Sequence, residues 1–337
     1  MNTIIYPPTI DYFWVYQRPQ QLLRKLARLG YKVYFFNNSI KKDARKMISK
    51  IEKNFYIVNG LGFNKIKIEG IPILWVSYPP GLEQVNFFKN KFLVFDAIDY
   101  PTEEFISWEI NYNKLQQSAN VIFATSDKLF NLNKKKNKNV FMLPNGADFE
   151  HFNKAFNVFS DLPFDLPYNK KPIVGYFGAL ATWIDWDLVD FLANNNKDFN
   201  FVFIGPFYNH INNLPNKDNI FYLGRKDYSK LPEYLQYFNV CIIPFKITSM
   251  TAACDPIKAY EYLSAGKDVV STNLPELKKL KVIKIAKSYR EFNDNLRKAI
   301  YNKSNLEKER YIKIAKENSW EIRAEYADKI IRQFIQK

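Results

Sequence analysis

Residues 254–267 read Cys254-Asp255-Pro256-Ile257-Lys258-Ala259-Tyr260-Glu261-Tyr262-Leu263-Ser264-Ala265-Gly266-Lys267, and Asp268-Val269-Val270-Ser271-Thr272 follow at once. A proline near the start and a glycine just past the end predict one short helix between a polar loop and a strand. Asp255 reads as its N-cap, and Val269-Val270 begin a β-branched run suited to a buried parallel strand. Lys258 and Glu261 are three apart, so they share one side of the helix near its start. A cation, a carboxylate and a helix N-terminus together suit a ligand that carries both phosphate and hydroxyl groups. The same two residues also fit an exposed i,i+3 ion pair. The surrounding chain decides between the two.

Working back from this stretch, the second half alternates strands and helices. Pro172–Gly178 reads as a strand running into a glycine, Ala179 to Asp185 as a loop, and Asp187-Leu188-Val189 as the start of a helix. Strands recur at Phe201–Gly205, Ile220–Gly224 and Val240–Phe245, with a helix over 230–237. The first half opens with the same grammar. Thr3–Tyr6 is a strand, Thr9–Gln17 a loop, and Arg18-Pro19 start a helix whose Leu22, Leu23, Leu26 and Leu29 fall at helical spacing before a Gly30 stop. Tyr31–Phe36 is the next strand, which completes the opening unit of a doubly wound α/β domain. Further strands are expected at Ile71–Val76, Phe92–Phe95, Val121–Ala124 and Val140–Leu143.

The Thr9–Gln17 loop lies past the carboxyl end of the first strand, where such folds bind ligands, and it brings Asp11 and Trp14 there with Arg18 behind them. Asp96 and Asp99 stand just past another strand end, as a base, as acceptor-hydroxyl contacts or as helix caps. Residues 40–53 mix Lys41, Lys42, Arg45, Lys46, Lys50 and Lys53 with Ile40, Met47, Ile48 and Ile51. That pattern reads as a basic amphipathic helix, either solvated or docked on anionic lipid. Residues 153–171, with Pro163 and Pro167, read as a linker. The expected domains are therefore 1–160 and 170–319. The tail carries Ile322, Tyr326, Ile330 and Phe334 at four-residue spacing, so 320–337 reads as a helix.

Composition sets the bounds. A chain of 337 residues with 47% hydrophobic content, 29 Phe and 22 Tyr supplies two cores rather than one. Two cysteines and two histidines give no metal-ligand spacing and no disulfide framework, and point to a reducing compartment. No signal peptide or apolar run of ~20 residues is read, so a cytoplasmic protein is expected. The formal charge is +15. Residues 1–160 hold 22 Lys+Arg against 13 Asp+Glu, and 161–337 hold 27 against 21, so the excess leans to the first half. An anionic membrane surface is one partner this suits; nucleic acid is not expected, because no nucleic-acid motif occurs.

At this point the chain resembles a GT-B glycosyltransferase, of the group that includes glycosyltransferase family 4, over nearly its whole length. The residues that carry the resemblance are Trp14, Gln17-Arg18-Pro19-Gln20-Gln21-Leu22, Leu143-Pro144-Asn145-Gly146-Ala147-Asp148, Tyr176-Phe177-Gly178-Ala179-Leu180, Gly224, Ile243-Pro244-Phe245, and above all Lys258 with Glu261–Lys267. The early Gln-Arg-Pro-Gln element is similar to that of a bacterial subgroup working on cell-surface polysaccharides such as teichuronic acid. The resemblance implies two Rossmann-like domains facing a cleft, the first binding a glycan or lipid-linked acceptor and the second a nucleotide-sugar. The terminal helix is then expected to cross back onto the first domain.

Glu261 matches the carboxylate that holds the ribose hydroxyls, which suits a group able to accept two bonds from a vicinal diol. Gly178 matches the glycine that lets backbone approach the diphosphate. Asp255 stands in for the sugar-contacting acid, but six residues before Glu261 instead of eight, where Ala253 falls. No Arg or Lys follows Gly178 before Asp187, so Lys258 is the expected counter-charge for the leaving diphosphate, with Arg225 and Lys246 behind it. Tyr260 completes the donor set, and Trp14, Arg18 and Asp96 form the acceptor set. The acceptor-domain histidine of the group has no counterpart, since the histidines are His151 and His210.

The reaction implied is metal-independent transfer with retention, the nucleotide-sugar being a co-substrate rather than a cofactor, with Asp11 or Asp99 as base if one is used. Asp185-Trp186-Asp187 spells Asp-x-Asp but opens a helix, and reads as a cap rather than a metal ligand. A nucleotide-sugar epimerase and a non-catalytic sugar-binding subunit are the alternatives.

Overall fold

The computed structural model describes residues 2–38, 47–157, 161–167, 169–208, 210–211, 213–301 and 305–335. The chain divides into two units, Met1–Asn145 with Trp320–Lys337, and Gly146–Ser319.

The first unit runs β1 (Thr3–Tyr6), α1 (Arg18–Arg28), β2 (Lys32–Phe36), β3 (Ile48–Glu52), β4 (Phe55–Val58), β5 (Ile73–Val76), α2 (Leu82–Val85), β6 (Phe92–Ala97), α3 (Glu109–Ser118), β7 (Val121–Ala124), α4 (Asp127–Lys134) and β8 (Val140–Met142). Its sheet has the order β3-β4-β2-β1-β5-β6-β7-β8. Every pairing is parallel except β3 with β4. The strands are short apolar runs such as Ile73-Leu74-Trp75-Val76, buried throughout, as parallel strands covered on both faces require. The order reverses between β1 and β5, so the loops leaving those two strands flank the switch point.

Two expectations are corrected here. Residues 39–46 lie outside the described residues, and Ile48–Glu52 is an antiparallel edge strand, not part of a basic helix. Lys53-Asn54 turns it into β4, with Asn54 at φ +65°, a left-handed conformation that Asn adopts more readily than most residues. The terminal helix, Trp320–Ile335, belongs to this unit and packs on α1. It does so through Trp320, Ala324, Ala327 and Ile331, while Ile322 and Tyr326 of the expected stripe are exposed. Alanines on the inner face let two helix backbones approach. Lys25 meets Glu321 at 2.5 Å and the Tyr31 hydroxyl donates to Asp328 at 2.6 Å.

The second unit runs α5 (Phe149–Asn153), β9 (Ile173–Phe177), α6 (Trp186–Asn195), β10 (Asn200–Ile204), β11 (Ile220–Tyr222), α7 (Leu231–Leu235), β12 (Val240–Ile243), α8 (Ile257–Ser264), β13 (Asp268–Thr272), α9 (Pro275–Lys279), β14 (Lys284–Ala286), α10 (Tyr289–Tyr301) and α11 (Asn305–Glu317). Its sheet is parallel throughout, in the order β11-β10-β9-β12-β13-β14. The switch point falls between β9 and β12, so the β9 loop and the start of α8 meet there. The division between units comes at Asn145, earlier than the expected linker. Residues just after it already pack in the second core, where Phe152 is fully buried and stacks on Phe177 at 5.6 Å. Among the described residues no helix is long and apolar enough to cross a membrane.

Candidate functional site

In the second unit three strands end on glycines. Gly178, Gly205 and Gly224 follow β9, β10 and β11, all with positive φ. Gly178 N–H donates to Ile204 O and Gly205 N–H to Gly224 O, both at 2.9 Å, which ties the three strand ends side by side. A Cβ on Gly205 would stand 1.9 Å from the Gly178 carbonyl oxygen, so only glycine fits. At Gly178, φ +136°, a Cβ would stand 3.1 Å from Lys258 Cε and 3.3 Å from its Nζ. Lys258 therefore lies along the backbone of the β9 loop. Its ammonium also sits 5.2 Å from the Tyr176 ring and 5.0 Å from that of Phe245. Burial pulls the Lys258 pKa down, against the opposing effects of Cys254 and Glu261.

Glu261, one turn along α8, is 8% exposed and makes no hydrogen bond or ion pair among the described residues. Burial raises its pKa to about 8; Lys258 opposes the shift and the Asp148 charge adds to it. The ion pair that the i,i+3 spacing allows does not form. A buried carboxylate without a partner is expensive unless a ligand supplies one. Asp255 is corrected as an N-cap, because Pro256 takes that position. Its buried carboxylate accepts from the Tyr260 hydroxyl at 3.0 and 3.2 Å, so these two expected donor contacts bond to each other. Arg225 and Lys246, past the ends of β11 and β12, are exposed at the same edge of the sheet. Asp185 caps α6, accepting from Leu188 N–H at 3.0 Å, and its two oxygens accept from the Tyr289 hydroxyl at 2.9 Å.

The first unit places its expected residues differently. Arg18 is 1% exposed and Asp96 0%. Arg18 Nη2 and Nε donate to Asp96 at 2.8 and 2.9 Å, Nη1 donates to Asn145 Oδ1 at 3.0 Å, and Trp75 Nε1 donates to Asp96 at 3.1 Å. Asp96 stands inside β6 rather than past its end, so its side chain points into the core. The expectation that Arg18 and Asp96 touch the acceptor is corrected: they form a saturated internal ion pair. Gln20, fully buried, holds the preceding loop by donating to Val15 O at 2.7 Å. The Gln-Arg-Pro-Gln element is thus a scaffold.

Asp11 starts a turn, its carboxylate accepting from Phe13 N–H at 2.9 Å and its carbonyl from Trp14 N–H at 3.1 Å. Trp14 is 56% exposed on that turn. Asp99, two residues past β6, is half-buried, makes no hydrogen bond or ion pair among the described residues, and is pushed up to about 6 by desolvation. His151 stacks on Tyr228 at 4.5 Å and bonds its carbonyl, and burial lowers its pKa; His210 is exposed. Sequence reasoning gave Gly205 no role at this edge, and quoted Tyr176 and Phe245 only among the residues that carry the resemblance, not in the donor set. The signal for Gly205 was present, since it repeats the strand-then-glycine pattern of Gly178.

No protein-family model matches the sequence. Sucrose-phosphate synthase from Thermosynechococcus elongatus superposes with a TM-score of 0.73 over 100% of both chains at 12% identity. HepE of Anabaena, solved in complex with UDP and glucose, gives 0.72 over 98% of this chain and 99% of its own at 14% identity. The fold is GT-B. Within that fold, a 178-residue stretch is 27% identical to TuaH of Bacillus subtilis (strain 168), named for teichuronic acid biosynthesis as a glycosyltransferase. That match spans 50% of this chain and 44% of the relative. The glycine-ended edge of the second sheet is the switch-point edge at which open α/β sheets bind ligands.

Proposed function

We propose that this GT-B chain is a glycosyltransferase, its second unit holding a nucleotide-diphosphate sugar and its first unit presenting an acceptor hydroxyl. The observation that carries the reading is buried Glu261, without a hydrogen bond or ion pair among the described residues, one turn from Lys258, which itself lies on the Gly178 backbone. A ribose diol gives Glu261 the two donors it lacks. The diphosphate, set against Gly178, gives Lys258 the negative charge that restores its proton affinity. HepE, solved with UDP and glucose, and TuaH, named as a glycosyltransferase, support the same assignment.

In the step we propose, the bond from the anomeric carbon to the diphosphate oxygen breaks and the electron pair leaves with the nucleotide. Lys258 and the positive end of the α8 dipole stabilise that charge as it forms. The acceptor oxygen bonds to the anomeric carbon, and its proton passes to the departing phosphate or to Asp99. We propose retention of configuration and no metal requirement; Asp185, which caps α6 and accepts from the Tyr289 hydroxyl, is already engaged where an Asp-x-Asp ligand would be needed. A bacterial surface polysaccharide is the proposed product.

A thermal-shift screen of nucleoside diphosphates and their sugars tests the reading. A binding nucleotide raises the melting temperature as ligand saturates. The shift is expected with wild type and is expected to disappear with Glu261→Ala. No shift with any nucleotide would overturn the proposal.

A further inference from the structure

We propose that Tyr262 is a positioning residue of the donor site: its hydroxyl stands in for a missing strand partner and so holds the Gly178 turn against α8, the helix that carries Lys258 and Glu261. The inference rests on the glycosyltransferase reading and adds the group that keeps the two halves of its donor site in register.

β9 ends beside a gap. Its pairing with β10 runs to its last residue, Phe177 with Ile204, but its pairing with β12 covers only Val174 with Val240 and Gly175 with Cys241. β12 itself runs on, with Ile243 opposite Ser271 of β13, so the two strands part before β9 ends. Gly178 N–H turns back toward β10, where it donates to Ile204 O at 2.9 Å. Phe177 N–H is left buried on the other side, where no strand receives it, and an unpaired N–H there would cost as much as a lost hydrogen bond. Tyr262 supplies the acceptor from the helix layer. It is fully buried, its hydroxyl accepts from Phe177 N–H at 2.9 Å and lies 3.5 Å from Phe177 O, and its ring meets that of Phe177 edge-on at 4.8 Å. Burial holds its pKa well above the ordinary tyrosine value, so the hydroxyl keeps its proton and adds no charge.

Helix geometry says what the bond controls. Lys258 and Tyr262 are four apart, one turn from each other on the same side of α8. Lys258 lies against Gly178, its Cε 3.1 Å from where a Cβ would stand, and Tyr262 bonds the residue just before it. Successive turns of α8 therefore grip successive residues of the strand end, and Glu261 is carried by the same helix. The turn is also braced from within, since the Tyr176 hydroxyl donates to Ala179 O at 3.0 Å. That bond joins residues of one loop and does not set their distance from α8. A nucleoside diphosphate has to meet the Gly178 backbone and the α8 side chains at once, so its affinity depends on that distance. Tyr262→Phe keeps the ring packing and removes only the tie.

The test is calorimetric titration of the full chain with UDP, in wild type, Tyr262→Phe and Tyr311→Phe. Tyr311, also buried in the second unit, donates its hydroxyl to Asp268 at 2.9 Å, at the opposite end of the sheet. Tyr311→Phe thus controls for the stability lost with any buried hydroxyl, and both variants are expected to melt earlier than wild type. Titrated well below either melting temperature, Tyr262→Phe is expected to raise the UDP dissociation constant about tenfold, a loss of about 1.4 kcal/mol, and Tyr311→Phe to leave it within about twofold. Hydrogen exchange of residues 173–178 is expected to quicken in Tyr262→Phe alone. If Tyr262→Phe does not fold, replacing Phe177 by its α-hydroxy-acid analogue, which puts an ester oxygen in place of the N–H, deletes the same bond from its other end and is expected to show the same loss. Unchanged UDP affinity in the folded variant, or an equal loss in Tyr311→Phe, overturns the inference while leaving the transferase reading intact. Wild type that does not bind UDP overturns that reading, and the inference with it.

Discussion

Lys258 occupies the space that any side chain at position 178 would need: the Cβ of an alanine there would come within 3.1 Å of its Cε. The glycine therefore does two things, adopting φ +136° and leaving room for a lysine to lie along the loop. Gly178→Ala is expected to cost ~1–3 kcal/mol of stability through backbone strain. It should also raise the dissociation constant for UDP at least ~10-fold, because the displaced ammonium no longer faces the diphosphate. Calorimetric titration and a melting curve on one preparation separate the two effects; a stability loss with unchanged UDP affinity would remove Lys258 from the donor site.

Glu261 links binding to pH. Its carboxyl is held up to about 8 by burial, so in the free protein it is largely neutral at pH 6 and ionised above pH 8. A diol donating to the carboxylate favours the ionised form, so UDP affinity is expected to rise between pH 6 and 8 and then level off, while Glu261→Gln gives a flatter, weaker profile. The stability sign runs the other way. A group whose folded pKa lies above its unfolded value contributes most below the unfolded pKa and loses that contribution as pH rises through about 8. Glu261→Gln should therefore match wild type near pH 4.5 and exceed it at pH 8 to 9 by on the order of 1–3 kcal/mol. Urea denaturation across this range checks it.

The GT-B architecture was legible because parallel strands covered on both faces must be continuous apolar runs, and these runs are separated by leucine-spaced helices and glycine stops. Thr3–Tyr6, Ile173–Phe177 and Val240–Ile243 could hardly be read otherwise. That Glu261 and Lys258 lie on one short helix, with Gly178 at a strand end, was legible from a helix start placed after a strand. What failed was one residue of register or one turn. Asp96 looked like a loop carboxylate because β6 seemed to end at Phe95; the strand continues to Ala97, and that difference turns a presumed ligand contact into a core group. Ile48 and Ile51 suit a helix by spacing, and only the left-handed Asn54 reveals a hairpin. The edge-on meeting of Tyr78 and Trp108 at 5.2 Å was not legible either, because thirty residues separate them and only the packing of the 103–108 turn joins them.

The internal Arg18–Asp96 pair gives a prediction about stability without one about donor binding. Removing one partner leaves a buried charge uncompensated, which costs ~3–5 kcal/mol. Asp96→Ala also frees Trp75 Nε1 in the core. Denaturant unfolding of Asp96→Ala is expected to show an early transition from the first unit, while UDP still protects the second unit at near wild-type affinity. Loss of UDP binding in a variant whose second unit remains folded would return Asp96 to the functional site.

Asp99 is the group whose protonation should be visible in the rate. It is raised to about 6 by desolvation, with no hydrogen bond or ion pair among the described residues holding either form. If it takes the acceptor proton, only the ionised carboxylate is active. With the transfer reaction running, log kcat/KM should then climb with unit slope below about pH 6 and flatten above it. Asp99→Asn removes the base and should lower kcat by ~10²–10⁴-fold while erasing that limb. The donor-side carboxyl titrates higher, at about 8, so its limb appears in the UDP affinity rather than below pH 6. A profile in which the low limb survives in Asp99→Asn would assign the proton to the departing phosphate, leaving Asp99 to hold hydroxyls alone.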